Sequence, residues 1–139
     1  MGDFFKDLVY APDDVVTFPG GIPGFEDNKN YVLVQIPEYV PFEWLVCVDG
    51  TRLRFALINP LLFRPDYSPN ITKEQLSELK IEKAEDVLLY AIVTIREDAA
   101  QSTANLIGPI VINRSRKLGK QIIIEDDRYS TQEKILGKS

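Results

Sequence analysis

The chain has 139 residues, 45% of them hydrophobic and 27% charged, with a formal net charge of −5. That length and mix suit one globular domain over residues 1–139 and not a disordered segment. There is no histidine and a single cysteine, Cys47. This excludes Ser-His-Asp and Cys-His catalysis, zinc sites built on histidine or on several cysteines, and an internal disulfide.

Met1 to Asp7 carries acids where a secretory leader carries bases, and no run of about eighteen uncharged apolar residues occurs, so the reading is cytoplasmic, with no membrane partner. The acidic balance also argues against direct contact with nucleic acid, which needs a basic face to displace counterions from phosphate. Arg114, Arg116, Lys117 and Lys120 form the one basic cluster, read as a solvated turn between two strands.

In chain order, Val15 to Phe18 reads as a strand closed by Pro19-Gly20-Gly21. Tyr31 to Ile36 follows, ended by Pro37, then Trp44 to Val48 with Asp49-Gly50 as a tight turn. Leu53 to Ile58 alternates, with Leu53, Phe55 and Leu57 on one side. A two-turn helix is predicted over Lys73 to Leu79, capped by Thr72 with Gln75 as its capping-box partner and Ile71 and Leu76 as a hydrophobic staple. Val87 to Ile95 is apolar on both faces and predicts a strand buried on both sides; Ile110 to Ile112 and Gln121 to Ile124 complete the strands. The residues from Gln132 are read as frayed or as a short helix. Many short strands divided by turns predict an all-β, antiparallel β-barrel-like single domain with one short helix, and closure of eight strands would leave no exposed edge.

The sequence offers no catalytic, metal-binding or cofactor-binding residues. Gly20-Gly21-Ile22-Pro23-Gly24 lacks the lysine of a P-loop and the spacing of a dinucleotide loop, and its proline removes a donor, so it reads as a rigid turn. The acidic pairs, such as Asp13/Asp14 and Asp126/Asp127, are neighbours that a strand would send to opposite faces; they read as solvated strand ends. Cys47 lies in an apolar run and reads as an inert buried thiol.

Large side chains at turn positions are the candidates for partner contact. Phe42 stands between Pro41 and the strand that follows, and Asn59, Pro60, Phe63 and Tyr67 lie in a proline-rich, extended exit from another strand. Phe63 and Tyr67 either fold back as a plug on the barrel or stand exposed as interface anchors. Asn105, in Ser102-Thr103-Ala104-Asn105-Leu106, either presents its amide to a partner or satisfies its own turn.

Several of these segments together resemble a known family. They are Phe18-Pro19-Gly20-Gly21-Ile22-Pro23-Gly24-Phe25-Glu26, Phe55-Ala56-Leu57-Ile58-Asn59-Pro60, Asp66-Tyr67, Val93-Thr94-Ile95, Ser102-Thr103-Ala104-Asn105-Leu106 and Pro109-Ile110-Val111-Ile112-Asn113, with Gly119-Lys120-Gln121 and Tyr129. In this order, over about residues 13 to 130, they are similar to the FliW flagellar assembly factors. The pair G-I-P-G-F-E and T-A-N-L-x-x-P-I-V-I-N is the more specific part. Gly108, where alanine is commoner, and the segment Cys47 to Arg52 depart from the pattern. The resemblance implies a β-barrel-like bacterial protein that binds the translational repressor CsrA, relieving its repression of flagellin mRNA, and that also binds flagellin in competition. The alternatives are a nucleic-acid-binding β-barrel module, for which the charge has the wrong sign, and a carboxylate-based hydrolase, which needs acids converging in a pocket.

Overall fold

The computed structural model describes residues 8–135. Its strands are β1 (Val16–Thr17), β2 (Asn30–Gln35), β3 (Glu43–Cys47), β4 (Arg54–Ile58), β5 (Val87–Thr94), β6 (Thr103–Ala104), β7 (Ile110–Asn113), β8 (Leu118–Gln121) and β9 (Glu133–Lys134), with one α-helix, α1 (Lys73–Glu78), between β4 and β5. The sheet runs β4-β3-β2-β1-β8-β7-β5-β6-β9, and β4 also pairs with β5. Seven strands therefore close into a ring, while β6 and β9 extend it from the far end of β5. The fold class agrees with the sequence reading. The ring has seven strands where eight were expected, and one junction departs from antiparallel: β1 and β8 pair in parallel, at Thr17 and Leu118.

Alternation divides the apolar residues between the two faces of the wall. Val16, Tyr31, Leu45, Leu57, Tyr90, Ile110 and Ile112 form one buried cluster, together with Phe18 and Ile22. Its side chains meet across intervening strands. The rings of Tyr31 (β2) and Phe55 (β4) lie 6.3 Å apart over β3. The Tyr90 hydroxyl donates to Glu43 Oε1 at 3.2 Å over β4. Such convergence marks the concave interior of the barrel. The other parity, including Val32, Trp44, Val46, Ala56, Ile58, Ala91, Val93 and Val111, packs beneath Tyr67, Leu79, Ile122, Ile124 and Tyr129 from the later connections. The wall is thus apolar on both faces, as β5 predicted.

The helix forms as its signals require. Thr72 Oγ1 accepts from Gln75 N and Gln75 Oε1 accepts from Thr72 N, at 3.1 and 2.9 Å. Leu79, buried at its C-terminal cap, packs on the outer cluster. Asn113 clamps this end to the β7–β8 turn. Its Nδ2 donates to the carbonyls of Leu79 and Lys80, and its Oδ1 accepts from Ser115 N and Arg116 N.

Three element readings are corrected. β8 spans Leu118–Gln121, not Gln121 to Ile124. Residues 122–124 instead run beside 107–109, with Ile122 N donating to Pro109 O and Ile124 N to Ile107 O. Thr103–Ala104, read as loop, is a strand beside β5. Glu133–Lys134, read as frayed or helical, pairs with it.

Candidate protein-interaction site

β2 ends, β3 begins and β4 ends at one mouth of the barrel, since Gln35 pairs with Glu43 and Glu43 with Leu57. The connections 36–42 and 59–63 therefore form one rim. Asn59-Pro60 shapes the second of them: Asn59 Oδ1 accepts from Leu61 N at 3.0 Å, and Pro60 starts a 3-10 turn where no N–H is needed. Pro60 is buried and holds the turn against the wall. That turn pushes Leu61 and Leu62 outward, 44% and 59% exposed, and Val40 on the neighbouring connection is 59% exposed. Phe42 and Phe63 are half-buried and support the rim from the outer cluster.

Between the rim and the end of β7 lies a shallow groove of about 270 Å³, with Glu43, Asn59, Leu61, Tyr90 and Arg114 around it. Burial, followed by the charge of Glu43, pushes the Tyr90 phenol above its ordinary value of 10. Tyr90 stays protonated and donates to Glu43.

Four of the six contact candidates, Phe42, Asn59, Pro60 and Phe63, share this rim. The other two lie elsewhere and serve the fold. Tyr67 is 5% exposed, its hydroxyl donates to Leu106 O at 2.7 Å, and its ring stands edge-on to Tyr129 at 4.7 Å. It is a plug on the wall and not a surface anchor, because residues 64–69 turn back along the barrel and wedge it under Tyr129. Arg64 fixes that return: its guanidinium lies 5.0 Å from the Tyr129 ring centre and 2.8 Å from Glu133. Asn105 satisfies its own turn, accepting from Ile107 N and Gly108 N. Val40 and Leu61 were not singled out from the sequence; the signal was an apolar side chain inside a proline-flanked turn.

The other motifs are architectural. Gly21 has φ +70°, and a Cβ there would sit 2.6 Å from Glu26 Cα. Gly24 N, the donor a phosphate would seek, is given to Glu26 Oε2 at 3.0 Å. Cys47 is buried, its Sγ 3.7 Å from Asn28 Oδ1. Of the basic cluster, Arg114, Arg116 and Lys117 lie in the β7–β8 turn, while Lys120 on β8 pairs with Glu78 at 2.7 Å. Among the described residues no three His, Cys, Asp or Glu converge as metal ligands, and no helix is long and apolar enough to cross a membrane.

The class these features define is a small closed mixed β-barrel with an apolar rim. The family model "FliW protein" matches residues 2–135. The flagellar assembly factor FliW of Thermoanaerobacter pseudethanolicus is 41% identical over 133 residues, covering 95% of this chain and 89% of the relative. That of Alkaliphilus metalliredigens is 39% identical, covering 95% and 82%. A crystal structure of the flagellar assembly factor FliW superposes with a TM-score of 0.91 at 36% identity, covering 98% of this chain and 95% of that one. The chain belongs to the FliW family of flagellar assembly factors.

Proposed function

We propose that this chain acts in the cytoplasm by binding and not by catalysis, and that its partners are the repressor CsrA and flagellin. Bound to CsrA, it relieves repression of flagellin mRNA. Bound to flagellin, it is withheld from CsrA, so that export of flagellin releases it and translation rises. The observation that carries this reading is the exposed apolar rim of Val40, Leu61 and Leu62 in a member of a flagellar assembly family. Apolar side chains grouped on a rigid rim favour association with another protein. The net charge of −5 suits a partner whose own work is to hold RNA.

The reading is tested by mixing the purified chain with CsrA and with flagellin and resolving each mixture by size exclusion. Co-elution with each partner, and displacement of CsrA by flagellin, are expected. Independent elution from both would overturn the reading.

A further inference from the structure

The barrel is closed by its narrowest junction, a single residue pair, next to a β1–β2 ladder of only two. β2 and β3 pair over five residues and β7 and β8 over four, but β1 and β8 meet only at Thr17 and Leu118, where Thr17 N donates to Lys117 O at 2.9 Å. The sequence explains why this ladder stops. In a parallel ladder the next donor on the β1 side is the N–H of residue 19, aimed at Gly119 O, and Pro19 has none. The bond after that would run from Gln121 N to Pro19 O, but Pro19 O accepts from Lys29 Nζ at 3.1 Å instead.

The opposite edge of β8 confirms which groups are left over. Ile122 N donates to Pro109 O, so the even residues of β8 face β7, and Gly119 and Gln121 turn their amides away from it. No described residue donates to Gly119 O or accepts from Gln121 N. Along this edge runs a groove of about 400 Å³, walled by Pro19, Gly20 and Gly21 on one side and by Leu79 on the other. Its floor is Gly119 over the Phe18 ring, so tight that a Cβ would lie 2.6 Å from the ring. Its rim carries Glu26 and Glu78, and the two cations beside it are already held, Lys120 by Glu78 and Lys29 by the Pro19 carbonyl.

We propose that this seam is a second docking site, separate from the apolar rim, and that it receives an extended basic segment of a partner protein as an added strand on β8. The backbone of the segment supplies a donor to Gly119 O and an acceptor to Gln121 N, a small residue lies over Gly119, and a lysine or arginine meets Glu26. This is strand addition to an open sheet edge, made available by one proline. It is independent of which proteins bind the rim.

The test is a titration of the nitrogen-15-labelled full chain with the acetylated, amidated hexapeptide Lys-Val-Ala-Val-Ala-Lys, followed by amide chemical shifts. A downfield shift at the Gln121 amide is expected, with at least tenfold weaker binding for the same peptide N-methylated at its central residues and for its Glu-for-Lys counterpart. The Gln121→Pro variant, which removes the donor on the groove side and keeps the bonds to β7, should weaken binding by the same factor. The wild-type comparison of plain and N-methylated peptides stands even where that variant fails to fold. No shift at Gln121 up to millimolar peptide, equal binding of the N-methylated peptide, or shifts confined to the β9 edge at Lys134 would each overturn the proposal. Loss of CsrA and flagellin binding with the peptide result intact would overturn the rim reading alone.

Discussion

The two mouths of this barrel are built by different means. At the rim, connections 36–42 and 59–63 are held by prolines and one Asn cap, and the turn presents Leu61 and Leu62 to solvent. At the opposite mouth, residues 19–30 and 47–53 are fixed by backbone geometry. Gly21 and Gly24 take positive φ, and the Asp49 carboxylate accepts from Lys29 N, Asn30 N and Asn30 Nδ2 at 2.7 to 2.9 Å. The difference teaches which substitutions should change stability and which should change binding. Replacements at the glycine corner strike the fold, and replacements of the exposed apolar side chains at the rim leave the fold and strike association.

The largest effects are expected at the corner and under the seam. Gly21→Ala puts a Cβ 2.6 Å from backbone that cannot move, at φ +70°, and Gly119→Ala drives one into the Phe18 ring. Each should lose about 3 kcal/mol, or about 10 °C in Tm for a chain of this size, read by thermal melting. Gly20→Ala, whose Cβ meets nothing within 4 Å, should melt within a few degrees of the parent. Equal losses at all three positions would break the comparison.

Alkali should test the burial at both ends. Burial, then the Cys47 and Asp49 charges, push the Tyr31 phenol up to about 12 from 10, and burial raises Tyr67 and Tyr90 as well. A raised acid favours the protonated folded form, so this stability is complete below pH 10 and is lost as pH climbs through about 12. Tyrosinate absorbance should therefore show these phenols ionising late and together with unfolding. Early ionisation of all tyrosines near pH 10 would contradict their burial.

In acid the corner should weaken. The amide donors of Asn30 and Lys29 hold the Asp49 carboxyl below its ordinary value of 3.8. A depressed acid stabilises the fold above the unfolded value, and the contribution disappears as pH falls below it. Asp49→Asn should cost about 1 kcal/mol at neutral pH and flatten the acid limb of stability against pH. An unchanged acid limb would show that Asp49 does not hold the corner.

The smallest stability effects are expected for Gly108→Ala and at the rim. A Cβ at Gly108 meets the end of the Gln121 side chain, which can swing aside, so a loss of under about 1 kcal/mol is expected in the same melts. Asn59→Ala removes a cap and should lose about 1 kcal/mol.

Much of the wall was legible in the sequence because local signals decide it. The alternation of Leu53, Phe55 and Leu57 and the Thr72 and Gln75 box each depend on neighbours a few residues away. The displaced β8 was not legible. Leu118-Gly119-Lys120 has no β-branched residue, and its glycine is set by Phe18, about a hundred residues earlier in the chain. β6 and β9 are two residues each and exist through pairing with β5 and with each other. In the candidate site, Asn59-Pro60 announced the rim turn, since both residues act locally. Tyr67 misled because the same proline-rich composition serves a turn that exposes leucines and a return that buries a tyrosine, and only the position of Tyr129 and Leu106 distinguishes them.

The most direct test of the central claim is the affinity of the Leu62→Ser chain for CsrA and for flagellin, measured by titration calorimetry beside a melting curve. The account predicts at least tenfold weaker binding to one or both partners, with Tm within about 2 °C of the parent, because a side chain already 59% exposed contributes little to the core. Unchanged affinity for both partners would contradict it.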